Sequence, residues 1–269
     1  MLSSPADVSS PDVPLAARFP VAGVLVSRTT YADAVDTLIQ AARGGTPLVA
    51  AATSVHGLTM AAIDPDFGAI LNSFGLVTPD GQPVRWALNL LHSAGLSERV
   101  YGPTLMRRLC EAAAREHISV YFYGSRPDVL TRLIGRLSAS VPGLTIAGSA
   151  APPFRPLTDA EDAEQVERII DSNAQLVFVG LGCPRQERWA HAHRLQLNRP
   201  LVCVGAAFDF HAGTLRQAPA WMQARGLEWL FRLLMEPRRL WRRYAKHIPI
   251  FVVLVGRQYC AQRLSLLRH

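Results

Sequence analysis

Leu176-Val177-Phe178-Val179-Gly180-Leu181-Gly182-Cys183-Pro184-Arg185-Gln186-Glu187 is the stretch on which the architecture turns. Its four apolar residues predict a buried strand, its glycines a tight turn, and Pro184 the start of a helix running from Arg185 to Arg194. Gly180 and Gly182 invite a dinucleotide-binding reading, because glycine lets a backbone approach phosphates at a helix N-terminus. The fuller glycine fingerprint fails, since Arg185 stands where the third glycine belongs. Gln186 and Glu187 suit a different task, holding a polar ring or sugar by side-chain hydrogen bonds.

Outward from this unit the same alternation repeats. Leu48 to Ala52 is a short apolar run. Val55 to Leu71 has helical spacing and contains Asp64-Pro65-Asp66. Leu76-Val77 leads into the turn Thr78-Pro79-Asp80-Gly81. Leu105 to His117 reads as a helix, Ile118 to Tyr123 as a strand ending at Gly124, and Asp128 to Ser138 as a helix. Leu144 to Ile146 is a short strand, and Leu157 to Ser172 a helix opened by the capping box Thr158-x-x-Glu161. Leu201 to Val204 is a last buried strand. Strands alternating with helices predict an α/β, Rossmann-like layered fold with a largely parallel sheet. Ligands of such sheets sit outside the carboxyl ends of the strands. That rule selects five loops as pocket walls: Thr53 to His56, Thr78 to Gly81, Gly124-Ser125, Gly180 to Glu187 and Gly205 to Gly213.

The chain has 269 residues, 49% of them hydrophobic, enough for a sizeable core and against a disordered chain. No apolar run approaches the roughly 18–20 residues of a spanning helix, the longest being Ile248 to Gly256. Cys110, Cys183, Cys203 and Cys260 are widely spaced and form no CxxC pair, so they read as buried thiols of a reducing compartment. Residues 1–20, rich in Ser, Pro and Asp, do not spell a signal peptide and read as a disordered extension. Residues 21–224 then form the core and 225–269 an appendage.

The appendage holds the charge. The net charge is +7, yet from Arg225 onward ten Lys and Arg face only Glu228 and Glu236, whereas the rest carries 18 bases and 19 acids. Such a block points to an anionic partner. Apolar and aromatic residues thread it: Glu228 to Leu234 reads as an amphipathic helix, and Pro237 starts a second with Arg238, Arg239, Arg242, Arg243 and Lys246 against Leu240, Trp241 and Tyr244. Pro249 is expected to stop that helix. Arg-rich helices carrying Trp lie in the headgroup plane of anionic bilayers, each base adding about 1 kcal/mol. No nucleic-acid recognition module is visible, and none is expected as a partner.

Among polar residues Asp80 is the most pointed, in a Pro-Asp-Gly turn at the ligand edge, although an Asx turn fixing its own backbone has the same spelling. Asp64-Pro65-Asp66 resembles a metal-binding DxD but falls within a helical pattern and reads as a solvated helix break. His56 and His211 are acid–base candidates or structural groups. Asp209, between Phe208 and Phe210, needs a partner if buried.

Taken together, the motifs resemble the WecG/TagA/CpsF family of bacterial glycosyltransferases (family 26). The similar stretches are Ala51 to Gly57, Thr78 to Gly81, Arg99-Val100-Tyr101-Gly102-Pro103, Gly180 to Trp189 with its Pro-Arg-Gln-Glu, Gly205 to Gly213, Ala218 to Met222, and Gly226 to Leu233 with Glu236-Pro237-Arg238-Arg239. They run in the family's order from about residue 20 to 255. The resemblance implies an inverting transfer of a sugar from a UDP-sugar (UDP-N-acetylmannosamine, UDP-glucose or similar) to a polyprenyl-diphosphate-linked saccharide. The setting it implies is the inner face of the bacterial cytoplasmic membrane, in surface polysaccharide synthesis, with neither metal nor cofactor. The family's base falls on Asp80, and its donor-site Thr and Gln on Thr53 and Gln186. Its appendage arginines, which reach the lipid diphosphate and membrane, fall on Arg232, Arg239 and Arg242, with Arg238 and Arg243 beside them. Substrate contacts are further expected from Ser54, His56, Gly81, Gly102, Gly124, Gly180, Gly182, Arg185, Glu187 and Asp209. The chain departs from the family where Gln217-Ala218-Pro219 replaces an Arg-Ala-Pro, and in Thr53-Ser54-Val55, where an Asn often seen after the family's Thr is absent. Two rivals stand beside this reading: a nucleotide-dependent oxidoreductase, and a non-enzymatic tether to membrane or nucleic acid.

Overall fold

Six short apolar strands make one parallel sheet in the computed structural model, which describes residues 13–266. In chain order the elements begin with a hairpin, β1 (Arg18–Val21) and β2 (Val24–Ser27), and α1 (Tyr31–Gly44). The sheet then alternates with helices: β3 (Val49–Thr53), α2 (Val55–Ile63), α3 (Pro65–Asn72), β4 (Leu76–Pro79), α4 (Gln82–His92), α5 (Gly102–Arg115), β5 (Val120–Gly124), α6 (Pro127–Ser140), β6 (Ile146–Ala150), α7 (Asp159–Asp171), β7 (Leu176–Gly180), α8 (Arg185–Leu197) and β8 (Leu201–Cys203). Four helices close the chain: α9 (Ala207–Ala212), α10 (Ala220–Ala224), α11 (Glu228–Met235) and α12 (Pro237–Leu266).

The sheet order is β4-β3-β8-β7-β5-β6, with every neighbour parallel. Parallel strands covered on both faces are apolar throughout rather than alternating. Val177 and Val179 of β7 accordingly enter one core cluster, Leu176 and Phe178 the other. After β4 the chain crosses to the far side of the sheet to lay down β5, and returns through β7 and β8 to meet β3. The strand order therefore reverses around β3 and β8, which opens a crevice beyond their carboxyl ends.

The helix break expected at Asp64-Pro65-Asp66 divides 55–71 into two helices, with Asp64 capping the Phe67 N–H at 3.1 Å. Several other expectations are corrected. Strand β1 falls inside the stretch expected to be an extension: its hairpin turns on Ala22 and Gly23, both with positive φ, as a two-residue hairpin requires. Val13 packs on the core, and the expected disorder of residues 1–12 lies outside the described residues. Cys260 is exposed, whereas Cys110 and Cys203 are buried and Cys183 partly so.

Pro249 does not end the last helix. A proline inside a helix removes one hydrogen bond and costs about 3 kcal/mol. Packing outweighs that cost, because Leu240, His247 and Phe251 recur at helical spacing and are buried on one face, which lies against α2 and α4. Further along, the Gln258 side chain accepts from the Ala22 N–H at 3.1 Å and donates to the Pro20 carbonyl at 2.7 Å. The long helix is thereby fastened to the first hairpin.

Candidate active site

A pocket of about 590 Å3 occupies the crevice. All five loops selected from the sequence reach it, through Thr53, Ser54 and His56, Asp80 and Gly81, Ser125, Gly180 to Cys183 with Gln186 and Glu187, and Gly205 to Ala207 with Asp209. The other wall comes from α11 and α12, through Glu228, Trp229, Arg232, Arg239, Arg243, Tyr244 and His247. The C-terminal helices thus complete the pocket rather than trail from it.

Asp80 follows β4 directly. Its N–H donates to the Thr53 carbonyl at 3.2 Å, and its Oδ1 accepts from the Gly102 N–H at 2.8 Å, at the first residue of α5. Gly102 fits closely there, since a Cβ would lie 3.2 Å from the Ala52 Cβ and 3.3 Å from the Val204 carbonyl oxygen. Burial pushes the Asp80 carboxyl above the usual carboxylate range. Arg99 and the Gly102 N–H oppose that rise, Glu228 adds to it, and Arg232 opposes it.

Arg99 and Glu228 are the partners that sequence reasoning did not single out. Arg99 is 9% exposed, bonds Glu228 Oε2 through Nη2 at 2.5 Å and stacks its guanidinium 4.2 Å from the centre of the Tyr101 ring. Burial opposes the charge on Arg99, and Glu228 and Asp80 more than offset it. Tyr101 in turn donates its N–H to the Tyr31 hydroxyl at 2.9 Å. Both Arg99 and Glu228 lay within stretches quoted for the family resemblance, but a buried ion pair between residues 129 positions apart leaves no spacing signal.

Gln186, expected to contact a ligand, lines the pocket; its Oε1 accepts from the N–H groups of Gly182, at 3.3 Å, and Gly205, at 3.1 Å, while Nε2 donates to Glu187 Oε1 at 2.8 Å. It staples the loop after β7 to the loop after β8. Glu187 is 3% exposed, and its Oε2 has no partner. Burial raises its carboxyl above the usual range, against hydrogen bonding from Gln186, its own backbone and Cys183.

The glycines divide by task. Gly124 has φ +122°, and a Cβ there would fall 2.5 Å from the Gly180 carbonyl carbon; one on Gly180 would strike the Phe208 ring at 2.7 Å. Both permit close backbone approach beneath the pocket, and only Gly180 lines it. Gly182, at φ +81°, and Gly81 line it as expected. Arg185 is exposed and outside it.

Asp209 finds its partner in the Thr214 hydroxyl, 3.1 Å from Oδ1. His211 ties α9 to α5 by a 2.8 Å bond to the Pro103 carbonyl. The His56 ring meets the His247 ring edge-on with centroids 4.4 Å apart. Burial, then Arg243, His247 and Lys246, hold His56 down to about 3.

The appendage arginines separate. Arg232, lying 5.7 Å from the centre of the Phe210 ring, faces the pocket together with Arg239 and the largely enclosed Arg243. Arg238 and Arg242 are exposed and outside it. Arg239 pairs with Glu236 at 2.7 Å, and the Arg243 Nε has no partner. Among the described residues no group of three or more His, Cys, Asp or Glu is placed to hold a metal ion, and no helix is long and apolar enough to cross a membrane.

The arrangement presents to one crevice an enclosed carboxylate and, in Arg232 and Arg243, guanidinium groups with no carboxylate partner among the described residues, the donor set of a group transfer with an anionic leaving group. Known proteins are similar to this chain in sequence. An N-acetylglucosaminyldiphosphoundecaprenol N-acetyl-beta-D-mannosaminyltransferase of Bacillus subtilis (strain 168) is 30% identical over 193 residues, 71% of this chain and 72% of the relative. The enzyme of that name from Bacillus spizizenii is 32% identical over 71% and 72%, and that from Staphylococcus aureus 28% over 70% and 71%. Residues 19–265 match the model of the glycosyl transferase WecG/TagA/CpsF family, so the chain is a member of that family and a glycosyltransferase.

Proposed function

We propose that this enzyme moves a sugar, N-acetylmannosamine before glucose, from a UDP-sugar to a polyprenyl-diphosphate-linked saccharide, with inversion at the anomeric carbon. One observation carries the reading: the Asp80 carboxyl, held by Gly102, shares a pocket with Arg232, Arg239 and Arg243. In a single displacement the acceptor hydroxyl oxygen bonds to the anomeric carbon, the carbon–oxygen bond to UDP breaks, and the hydroxyl proton passes to Asp80. Gly102 engages Oδ1, which leaves Oδ2 to take that proton. Guanidinium forks bind diphosphates in bidentate fashion and stabilise the charge developing on a leaving UDP. Relatives named for an undecaprenyl-linked N-acetylglucosamine acceptor and an N-acetylmannosamine donor favour those two substrates.

We further infer a peripheral station on the inner face of the cytoplasmic membrane. Trp221, Leu234, Trp241, Val252 and Val253 are exposed on the last three helices, among exposed Arg238, Arg242 and Lys246. Exposed tryptophans among cations suit an anionic headgroup layer.

The test is UDP release from UDP-N-acetylmannosamine and UDP-glucose, with and without a short-chain N-acetylglucosaminyl diphospholipid. Release that depends on the acceptor, and that falls by about 100- to 10,000-fold in Asp80→Asn while UDP still binds, supports the reading. Turnover near wild type in that variant removes Asp80 as the base.

A further inference from the structure

We propose that Glu228 is a positioning residue that couples the seating of α11 to the readiness of Asp80 to accept a proton, by pairing with Arg99, which lines the same pocket as both carboxylates. The inference rests on Asp80 being the base.

The geometry consists of three charges in one enclosed corner. Asp80 stands at the end of β4, Arg99 on the segment before α5, and Glu228 at the first residue of α11. The Arg99 and Glu228 side chains are only 10% and 13% exposed and meet at 2.5 Å. The other charged or titratable groups facing Asp80 are Arg232 from α11, Tyr101 next to α5 and Tyr31 from α1.

An arginine facing a carboxylate alone stabilises its ionised form and makes it a weak base. With Glu228 on its Nη2, Arg99 belongs to a nearly neutral pair, so Asp80 feels mainly its desolvated surroundings and takes a proton more readily. Glu228 arrives only with the C-terminal helices, which also bring Arg232, Arg239 and Arg243 to the pocket. The base is then strengthened at the moment when the groups for the diphosphate are in place, and a core without its seated helices holds Asp80 as a poor acceptor of protons. A plain fastening role is the competing explanation, but a buried ion pair is weak evidence for stability, since its desolvation cost offsets most of the attraction.

The two explanations separate in the pH profile of kcat/KM, measured on the full chain. In Glu228→Gln the acid limb is expected to move about one pH unit downward. The plateau rate should fall roughly threefold to tenfold, as a weaker base predicts. In the double variant Arg99→Gln/Glu228→Gln both charges are gone, and the limb moves back up, to the wild-type position or beyond. If the limbs of both variants coincide with wild type, whatever their rates, Glu228 only fastens the helix and the proposal is overturned. Should Glu228→Gln fail to fold, Glu228→Asp keeps the charge at shorter reach and must shift the limb downward by a smaller amount; no shift overturns the proposal equally. An Asp80→Asn enzyme that keeps its rate defeats the assignment of the base, whereas an inactive Asp80→Asn with unmoved limbs in the Glu228 variants defeats this inference alone.

Discussion

The Asp80 carboxyl accepts a hydrogen bond from the Gly102 amide at 2.8 Å, so the end of one strand and the start of a helix 22 residues later hold a single acid in place. The helix α5 contributes the partial positive charge of its N-terminus to that carboxyl. Desolvation is nevertheless the larger influence, and it leaves the acid with a proton affinity above that of the unfolded chain.

That imbalance has a consequence for stability. A carboxyl whose proton affinity rises on folding costs stability where it is ionised, and the cost vanishes where it is protonated in both states, below about pH 4. Asp80→Asn keeps an acceptor for the Gly102 N–H and removes the buried charge. Its melting temperature should exceed that of wild type at pH 8, by about 2–4 °C for each kcal/mol relieved, and the two melting temperatures should converge near pH 4. Thermal melts at the two pH values check this, and a variant less stable than wild type at pH 8 contradicts it.

Gln186 offers a second case in which position outranks chemistry. Gln186→Ala leaves the N–H groups of Gly182 and Gly205 without their shared acceptor and Glu187 Oε1 without its donor. Unsatisfied groups of this kind cost about 1–3 kcal/mol each, partly recovered here by water from the pocket. The variant should lose about 2–3 kcal/mol in denaturant midpoint experiments and raise KM for the donor more than it lowers kcat, because the loops it joins form the pocket wall.

Much of this was legible in the sequence, and the losses have physical causes. Most strands from Leu48 to Val204 announced themselves because a parallel sheet buried on both faces is a series of apolar runs. The strand expected at Leu144 to Ile146 lies instead at Ile146–Ala150, because this edge strand is a partly exposed Ile-Ala-Gly-Ser-Ala with no apolar run to mark it. The ligand-edge loops followed from the βα order alone. The hairpin from Arg18 to Ser27 was missed because its turn is Ala22-Gly23 rather than Asn-Gly or Asp-Gly. Pro249 misled because a local rule was overruled by the packing of Leu240, His247 and Phe251. For Gln186 the sequence reveals that a side chain can donate and accept, but not that two backbone amides from different loops will claim its oxygen. Arg99 and Glu228 pair across the fold, and no local pattern encodes that.

The appendage arginines should divide by assay as they divide in space. Arg232→Ala and Arg243→Ala remove cations from the pocket and should lower kcat/KM with a lipid-diphosphate acceptor by about tenfold or more, with vesicle binding little changed. Arg238→Ala/Arg242→Ala removes two exposed cations, each worth about 1 kcal/mol against an anionic surface. That variant should bind phosphatidylglycerol vesicles roughly thirtyfold more weakly and turn over a water-soluble acceptor at the wild-type rate. Sedimentation with vesicles, paired with both acceptor assays, distinguishes the groups; equal effects of all four arginines in both assays would show that the spatial division has no functional meaning.

The seat of α12 on α2 should weaken in mild acid. His56 and His247 meet edge-on, and the His247 Nδ1 lies 2.6 Å from the Thr59 hydroxyl, while the His56 Nδ1 has no partner. Burial and the cations Arg243 and Lys246 hold both rings below the ordinary histidine range, His56 at about 3. The unfolded chain therefore binds protons that the fold refuses. The stability that the neutral rings contribute is present above pH 6.5 and is lost progressively as the pH falls from there toward 3. For His56 the slope stays below the ~1.4 kcal/mol per pH unit of one full proton, since the ring is only half-buried and partly screened. His56→Phe keeps an aromatic edge for His247 and cannot take up a proton. Between pH 7 and pH 5 wild type should lose more unfolding free energy than this variant, and limited proteolysis should cut wild type first within α12, where the added charge meets Arg243 and Lys246. Parallel pH slopes for the two proteins would show that the His56 ring keeps its ordinary proton affinity in the fold.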